Sequence, residues 1–178
     1  QDGIRINGSN NHTIIGNYIG TDAGGVVDLG NGRDGIFVSA SDGNTIGGSS
    51  VGDRNVIIGN GRDGILLSNA DSNVIRGNYI GLGADGVQNF GHSDDGIDIQ
   101  GTSSANIIGG SGTGEGNVVV SSDNNGIEFG GTSSNNLIQG NLIGVSAGGA
   151  SLGNSTDGIR LHTNSNSNTI GGTGAGEG

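Results

Sequence analysis

The sequence predicts an all-β chain wound as a parallel β-helix, a solenoid of about six coils with three short strands in each. Three observations carry that expectation. Asn44-Thr45-Ile46-Gly47-Gly48 returns as Asn106-Ile107-Ile108-Gly109-Gly110 and then as Asn168-Thr169-Ile170-Gly171-Gly172, each time after 62 residues. Within that period an Asp/Asn-Gly-Ile step recurs at Asp2, Asp34, Asp63, Asp95, Asn125 and Asp157, so each unit holds two similar coils of about 31 residues. Finally, apolar residues alternate over three to five positions between Gly and Asn, the pattern of short strands separated by sharp corners.

The first strand of each coil follows the Asp/Asn-Gly step and stacks Ile4, Ile36, Ile65, Ile97, Ile127 and Ile159, with a second column running from Ile6 to Leu161. The second strand stacks Ile14, Ile46, Ile75, Ile108, Ile138 and Ile170. The third stacks Ile19, Ile57, Ile80, Val119 and Ile143. Each coil then buries its apolar faces only against its neighbours, about 4.8 Å above and below. Asparagines fall in the same register. Asn44, Asn73, Asn106, Asn136 and Asn168 open the second strand, with His12 in the first slot, and Asn17, Asn55, Asn78, Asn117 and Asn141 open the third. Stacked amides donate and accept along a ladder, so these residues read as structural.

Longer insertions at 21–33, 82–94 and 145–156 alternate with shorter ones at 49–54, 111–116 and 173–178. Leu29, Phe90 and Leu152 recur in the long insertions and are expected to pin them to the wall. No composition shift marks a boundary. The chain reads as one domain over 1–178, in units 1–43 (partial), 44–105, 106–167 and 168–178 (partial).

Composition excludes several alternatives. Glycine supplies 42 of 178 residues, and at about 1 kcal/mol each against Ala that content would melt a helix. There is no Pro and no three-residue period, so the chain is not collagen-like. Without Cys there are no disulfides, thiolate metal sites or cysteine nucleophiles. No apolar run approaches the roughly 18 residues of a spanning helix. A formal charge of −11 argues against a nucleic-acid surface.

The motifs Asn-Tyr-Ile-Gly at 17–20 and 78–81, Asn-Thr-Ile-Gly-Gly at 44 and 168, and Gly-Glu-Gly-Asn at 114–117 resemble right-handed parallel β-helix repeats. They are similar to the pectate-lyase-like superfamily, in the tandem-repeat subgroup of large exported bacterial surface proteins. The resemblance covers nearly the whole chain. It implies a right-handed solenoid that is either a polysaccharide-active enzyme or an inert stalk, and fold alone does not choose between them.

Candidate chemistry lies on the middle position of the first strand. Arg5, Phe37, Leu66, Asp98, Glu128 and Arg160 form an outward column there, expected to be exposed, and His162 lies two residues beyond Arg160. Asp98, Glu128 and Arg160 could bind Ca²⁺, abstract a sugar-ring proton or act as acid and base on a glycoside. In lyases of this architecture a helix surface carries acidic Ca²⁺ ligands and a basic residue, so the resemblance points the same way. The competing reading is a surface charge ladder. Asp22, Asp85, Asp28 and Glu115 sit in Gly-rich loops as further Ca²⁺ candidates, beside the reading of plain solvated turns. No other cofactor is expected.

No capping segment, initiator Met or signal peptide is visible, so the ends are expected to meet copies of the chain or flanking repeats. The leading expectation is a non-catalytic extracellular building unit of a fibre, stalk or adhesin. A polysaccharide lyase, hydrolase or epimerase is the first alternative. A carbohydrate- or surface-binding module using Tyr18, Tyr79 or Phe37 is the second. The acidic, Asn/Ser/Gly-rich composition, the absence of Cys and Met and the resemblance together place the chain outside the cell, with a surface polysaccharide as a candidate partner.

Overall fold

A computed structural model describes residues 1–174. Its strands fall into three parallel sheets, each built from successive coils. The first sheet stacks Ile4–Asn7, Ile36–Ser39, Ile65–Ser68, Ile97–Gln100, Ile127–Phe129 and Ile159–Leu161. The second stacks Thr13–Ile14, Thr45–Gly47, Val74–Arg76, Ile107–Gly109, Leu137–Gln139 and Thr169–Ile170. The third stacks Tyr18–Ile19, Val56–Ile57, Tyr79–Ile80, Val118–Val119 and Leu142–Ile143. The chain is therefore a β-solenoid of about five turns, slightly fewer than six: among the described residues the third sheet has five strands where the others have six. The insertion expected at 173–178 extends beyond the described residues.

Register follows the isoleucines. Ile36 pairs with Ile65, Ile46 with Ile75 and Ile57 with Ile80, and the same alignment continues through the stack. A one-residue slip would turn each of these side chains to the outer face, so the buried column itself selects the pairing. Ile36, Ile46, Ile57, Ile75, Ile97 and Ile108 are fully buried. Burying one such side chain stabilises the fold by about 1.5–3 kcal/mol. Exposure rises towards the last described coils, reaching 40% at Leu161 and 52% at Ile170.

Glycine is required at the corners for two different reasons. At Gly109, φ is +88° and a Cβ would stand 2.1 Å from the Gln139 carbonyl oxygen. At Gly64, in the Asp-Gly-Ile step, the obstacle is space alone. A Cβ there would meet the Gly96 carbonyl at 2.5 Å, Ile80 Cγ2 at 2.7 Å and His92 Nε2 at 2.8 Å.

The long insertions are small hairpins, each closed by one antiparallel bridge: Thr21 with Asp28, Leu82 with Asn89, and Val145 with Ser151. The first and third coils' insertions meet each other, with the Ala84 N–H donating to the Gly25 carbonyl at 2.9 Å. On the outer side of the third sheet, Leu82, Val118 and Val120 form a second apolar cluster, with Tyr79 and Leu152 packed against it. Leu152 thus pins its loop as expected and Phe90 is half-buried, whereas Leu29 is 66% exposed and pins nothing. In the first hairpin the Asp22 carboxylate, not an apolar side chain, closes the turn by accepting the Val26 and Val27 N–H groups, both at 3.1 Å.

Candidate functional site

Two kinds of polar column run up the solenoid, and the contrast between them locates the site. In the second-strand ladder, Asn44 donates both its backbone N–H and its Nδ2 to Asn73 Oδ1, each at 2.8 Å. Asn73 does the same to Asn106, Asn106 to Asn136, and Asn136 to Asn168. The spare amide hydrogen goes to a carbonyl of the preceding coil, as from Asn106 to Ala70 at 3.0 Å. The third-strand ladder repeats this from Asn17 through Asn55, Asn78 and Asn117 to Asn141. His12 keeps the pattern only through its backbone, which donates to Asn44 Oδ1 at 2.9 Å.

The corner before the first strand carries carboxyls instead. Asp34 Oδ1 accepts the Asp63 N–H at 3.4 Å, Asp63 Oδ1 accepts the Asp95 N–H at 3.1 Å, and Asp95 Oδ1 accepts the Asn125 N–H at 2.8 Å. A carboxylate has no hydrogen to pass on. Asp34 Oδ2 and Asp63 Oδ2 are accordingly buried with no hydrogen-bond partner. Asp34 and Asp63 are fully buried, and Asp95 is 3% exposed.

Asp98 joins this column from the side. It stands in register between Leu66 and Glu128, as the sequence predicts, yet it is not on an open surface. Leu66 is 5% and Asp98 3% exposed. The Gln100 amide donates to Asp98 Oδ2, while Asp98 Oδ1 is buried without a partner. One oxygen each from Asp95, Asp98 and Glu128 lie within 4.8 Å of one another, and the same holds for Asp63, Asp94 and Asp95. Asp95 belongs to both trios, so five carboxyl groups form one continuous cluster.

Burial dominates the electrostatics. It pushes the Asp98 carboxyl up to about 8, with further lift from the charges of Asp63, Asp95 and Glu128. Asp63 is raised to about 7 and Asp95 to about 6, again chiefly by desolvation. Asp34 is raised for the same reason. Cations are scarce here. Arg62 reaches Asp63 Oδ2 only at 4.0 Å, and His162 Nε2 lies 3.0 Å from Glu128 Oε1. Arg160 pairs in register with Glu128 but is exposed and makes no ion pair among the described residues. Such a cluster can hold protons or a hard cation. Asp98 and Asp95 are too enclosed to reach a polymer. Glu128 and His162 alone border a shallow groove, with Gln100, Gly101, Gly130 and Gly131.

Three of the remaining loop candidates, Asp22, Asp85 and Glu115, are committed to turn hydrogen bonds or an ion pair. Asp85 Oδ1 accepts the Val87 and Gln88 N–H groups at 3.0 and 3.1 Å, and these bonds hold its carboxyl below the ordinary range. Asp22 is lowered likewise, the Val26 N–H contributing most. Glu115 accepts from Arg76 Nη1 at 3.0 Å and from the Gly112 N–H at 2.9 Å. None of Asp22, Asp85 and Glu115 belongs to either carboxyl trio found among the described residues. The sequence reading used Asp34, Asp63 and Asp95 only as repeat markers. The available signal was their common spacing, which stacks like charges one coil apart.

The fold and this cluster define a class: a β-solenoid with a partly unsatisfied carboxyl column along one corner. Comparison with protein-family models, curated proteins and solved structures returned no significant match for the chain.

Proposed function

We propose that this protein is a structural, non-catalytic building unit of an extracellular fibre, stalk or adhesin, propagating along its axis by coil-on-coil stacking. The observation that carries the reading is the shared register: the apolar columns continue from coil to coil, and the Asn ladders run with them from Asn44 to Asn168 and from Asn17 to Asn141. Any further coil, from a copy of the chain or a flanking repeat, is accommodated by the contact that already joins neighbouring coils. An acidic chain without Cys or Met suits an oxidising exterior.

Solution scattering and negative-stain microscopy test this on the chain and on a version with residues 44–105 duplicated in tandem. The rod is expected to lengthen by about 10 Å, two coils at about 4.8 Å each, and the native chain to form thin filaments at high concentration. An unchanged length on duplication would refute propagation by stacking. A polysaccharide-active module is favoured by one observation only, the Glu128–His162 pair beside the groove. That reading expects cleavage of an acidic polysaccharide that disappears in Glu128→Gln.

A further inference from the structure

We infer that the carboxyl cluster centred on Asp98 is a Ca²⁺ site, with Asp95, Asp98 and Glu128 as its core and Asp63 and Asp94 extending it. Clustering alone would not argue for an ion, since acids gather on many surfaces. Here Asp63, Asp95 and Asp98 are inside, with Asp94 and Glu128 half-buried at the edge. Asp98, in the first trio, is 3% exposed with Oδ1 unpartnered, and Asp63, in the adjoining trio, is fully buried with Oδ2 meeting only Arg62 Nη2 at 4.0 Å. An unpaired carboxylate oxygen in such a place calls for a proton or a cation. No lysine exists in the chain to supply an ammonium, Arg160 on the next coil makes no ion pair among the described residues, and the two basic groups present, Arg62 at 4.0 Å from Asp63 and His162 at 3.0 Å from Glu128, leave Asp95 and Asp98 without one.

Carboxylate oxygens are the ligands a hard cation takes. Oxygens facing each other across Ca²⁺ stand about 4.6–5.2 Å apart, twice a bond of 2.3–2.6 Å, so oxygens no more than 4.8 Å apart, as in each trio, are close enough to share one ion. Mg²⁺ keeps several waters and needs a near-ideal octahedron, which an enclosed group of carboxylates does not provide. The site spans three successive coils, from Asp63 through Asp94, Asp95 and Asp98 to Glu128, so the ion would clip coils together along the axis. The inference does not depend on the structural role proposed above, because binding is measured on the single chain in dilute solution.

The test is calorimetric titration of EDTA-treated protein with CaCl₂ and with MgCl₂, with thermal unfolding followed under the same conditions. Ca²⁺ is expected to bind and raise the unfolding midpoint, with Mg²⁺ at least tenfold weaker. Asp98→Asn should weaken Ca²⁺ binding tenfold or more yet unfold no earlier than the native chain without calcium, since it removes a buried charge. Asp85→Asn should bind as the native chain does. Absence of binding at millimolar Ca²⁺, equal binding by Asp98→Asn, or an equal response to Mg²⁺ would each overturn the assignment, the last by revealing charge screening.

Discussion

The Asn ladder at Asn44–Asn73–Asn106–Asn136–Asn168 and the acid column at Asp34–Asp63–Asp95 occupy equivalent corners of the same coils, and they differ by one group per residue. Where Asn presents NH₂, Asp presents oxygen. In both columns a side-chain oxygen accepts a backbone N–H from a neighbouring coil. Only the amide also donates, so Asn106 closes bonds to Asn136 and Ala70 while Asp63 leaves Oδ2 unpartnered. A stack of identical residues is self-complementary only if each member is both donor and acceptor. The amide column is an element of stability. The acid column is a liability that a proton or a cation removes.

That comparison can be broken most severely from the apolar side. Ile75→Asp places a charge in a fully buried column shared by both corners. Truncating a core Ile costs about 2–5 kcal/mol before the charge is counted, and no cooperative unfolding transition should remain by circular dichroism. A folded, soluble variant would show that the column is not what holds the coils.

Asn106→Asp converts one rung of the good ladder into a rung of the bad one. It removes the donations to Ala70 and Asn136 and buries an uncompensated charge. A loss of about 3–5 kcal/mol is expected in denaturant melts at pH 8, recovering as the new carboxyl protonates in mild acid. A loss that ignores pH would mean that shape, not hydrogen-bond polarity, decides the ladder.

The reverse exchange, Asp63→Asn, should stabilise the calcium-free protein at pH 8 by about 1–3 kcal/mol, the cost of an unsatisfied buried group. It should also flatten the pH profile. Asp95, Asp63 and Asp98 keep their protons up to about 6, 7 and 8 when folded, against 3.8 for the free carboxyl. Between those limits these three carboxyls hold more protons in the folded chain than in the unfolded one, outweighing the single proton that buried His92, lowered from 6.5 to about 3, gives up on folding, so stability falls as pH rises from about 4 to 8. The groups facing Asp63 reinforce this. Asp34, Asp94 and Asp95 repel its charge, and Arg62 at 4.0 Å is its one nearby cation. The calcium-free chain should therefore melt at higher temperature at pH 5 than at pH 8, and the opposite order would remove the acid column's liability. At the small end, Leu29→Ser should shift stability by less than about 0.5 kcal/mol, because a 66% exposed side chain has little packing to lose.

Strand register was legible in the residues because a buried face admits only one phase. Ile46 cannot trade places with Thr45 without exposing the column, and the same holds at every coil. The Asn ladders were legible for a related reason: a repeated amide at one slot has an obvious partner one coil away. Asp98 was not. Its position on the strand is set by alternation, but its burial depends on Gln100, Asp95 and Glu128 closing around it, and an aspartate in a sequence reads as solvated. Asp34, Asp63 and Asp95 show the same gap, since spacing places them in line without telling whether water reaches them.

By itself, then, the sequence determined the parallel β-solenoid, its repeat, its apolar columns and its amide ladders. Each of these follows from local alternation and a fixed period that any register must respect. The tertiary structure alone decided which polar columns are dry, that Asp22 rather than Leu29 closes its loop, and that five carboxyls from different coils meet in one cluster, three of them buried. Those outcomes depend on which groups exclude water from which others, and that is a property of neighbours brought together across the stack.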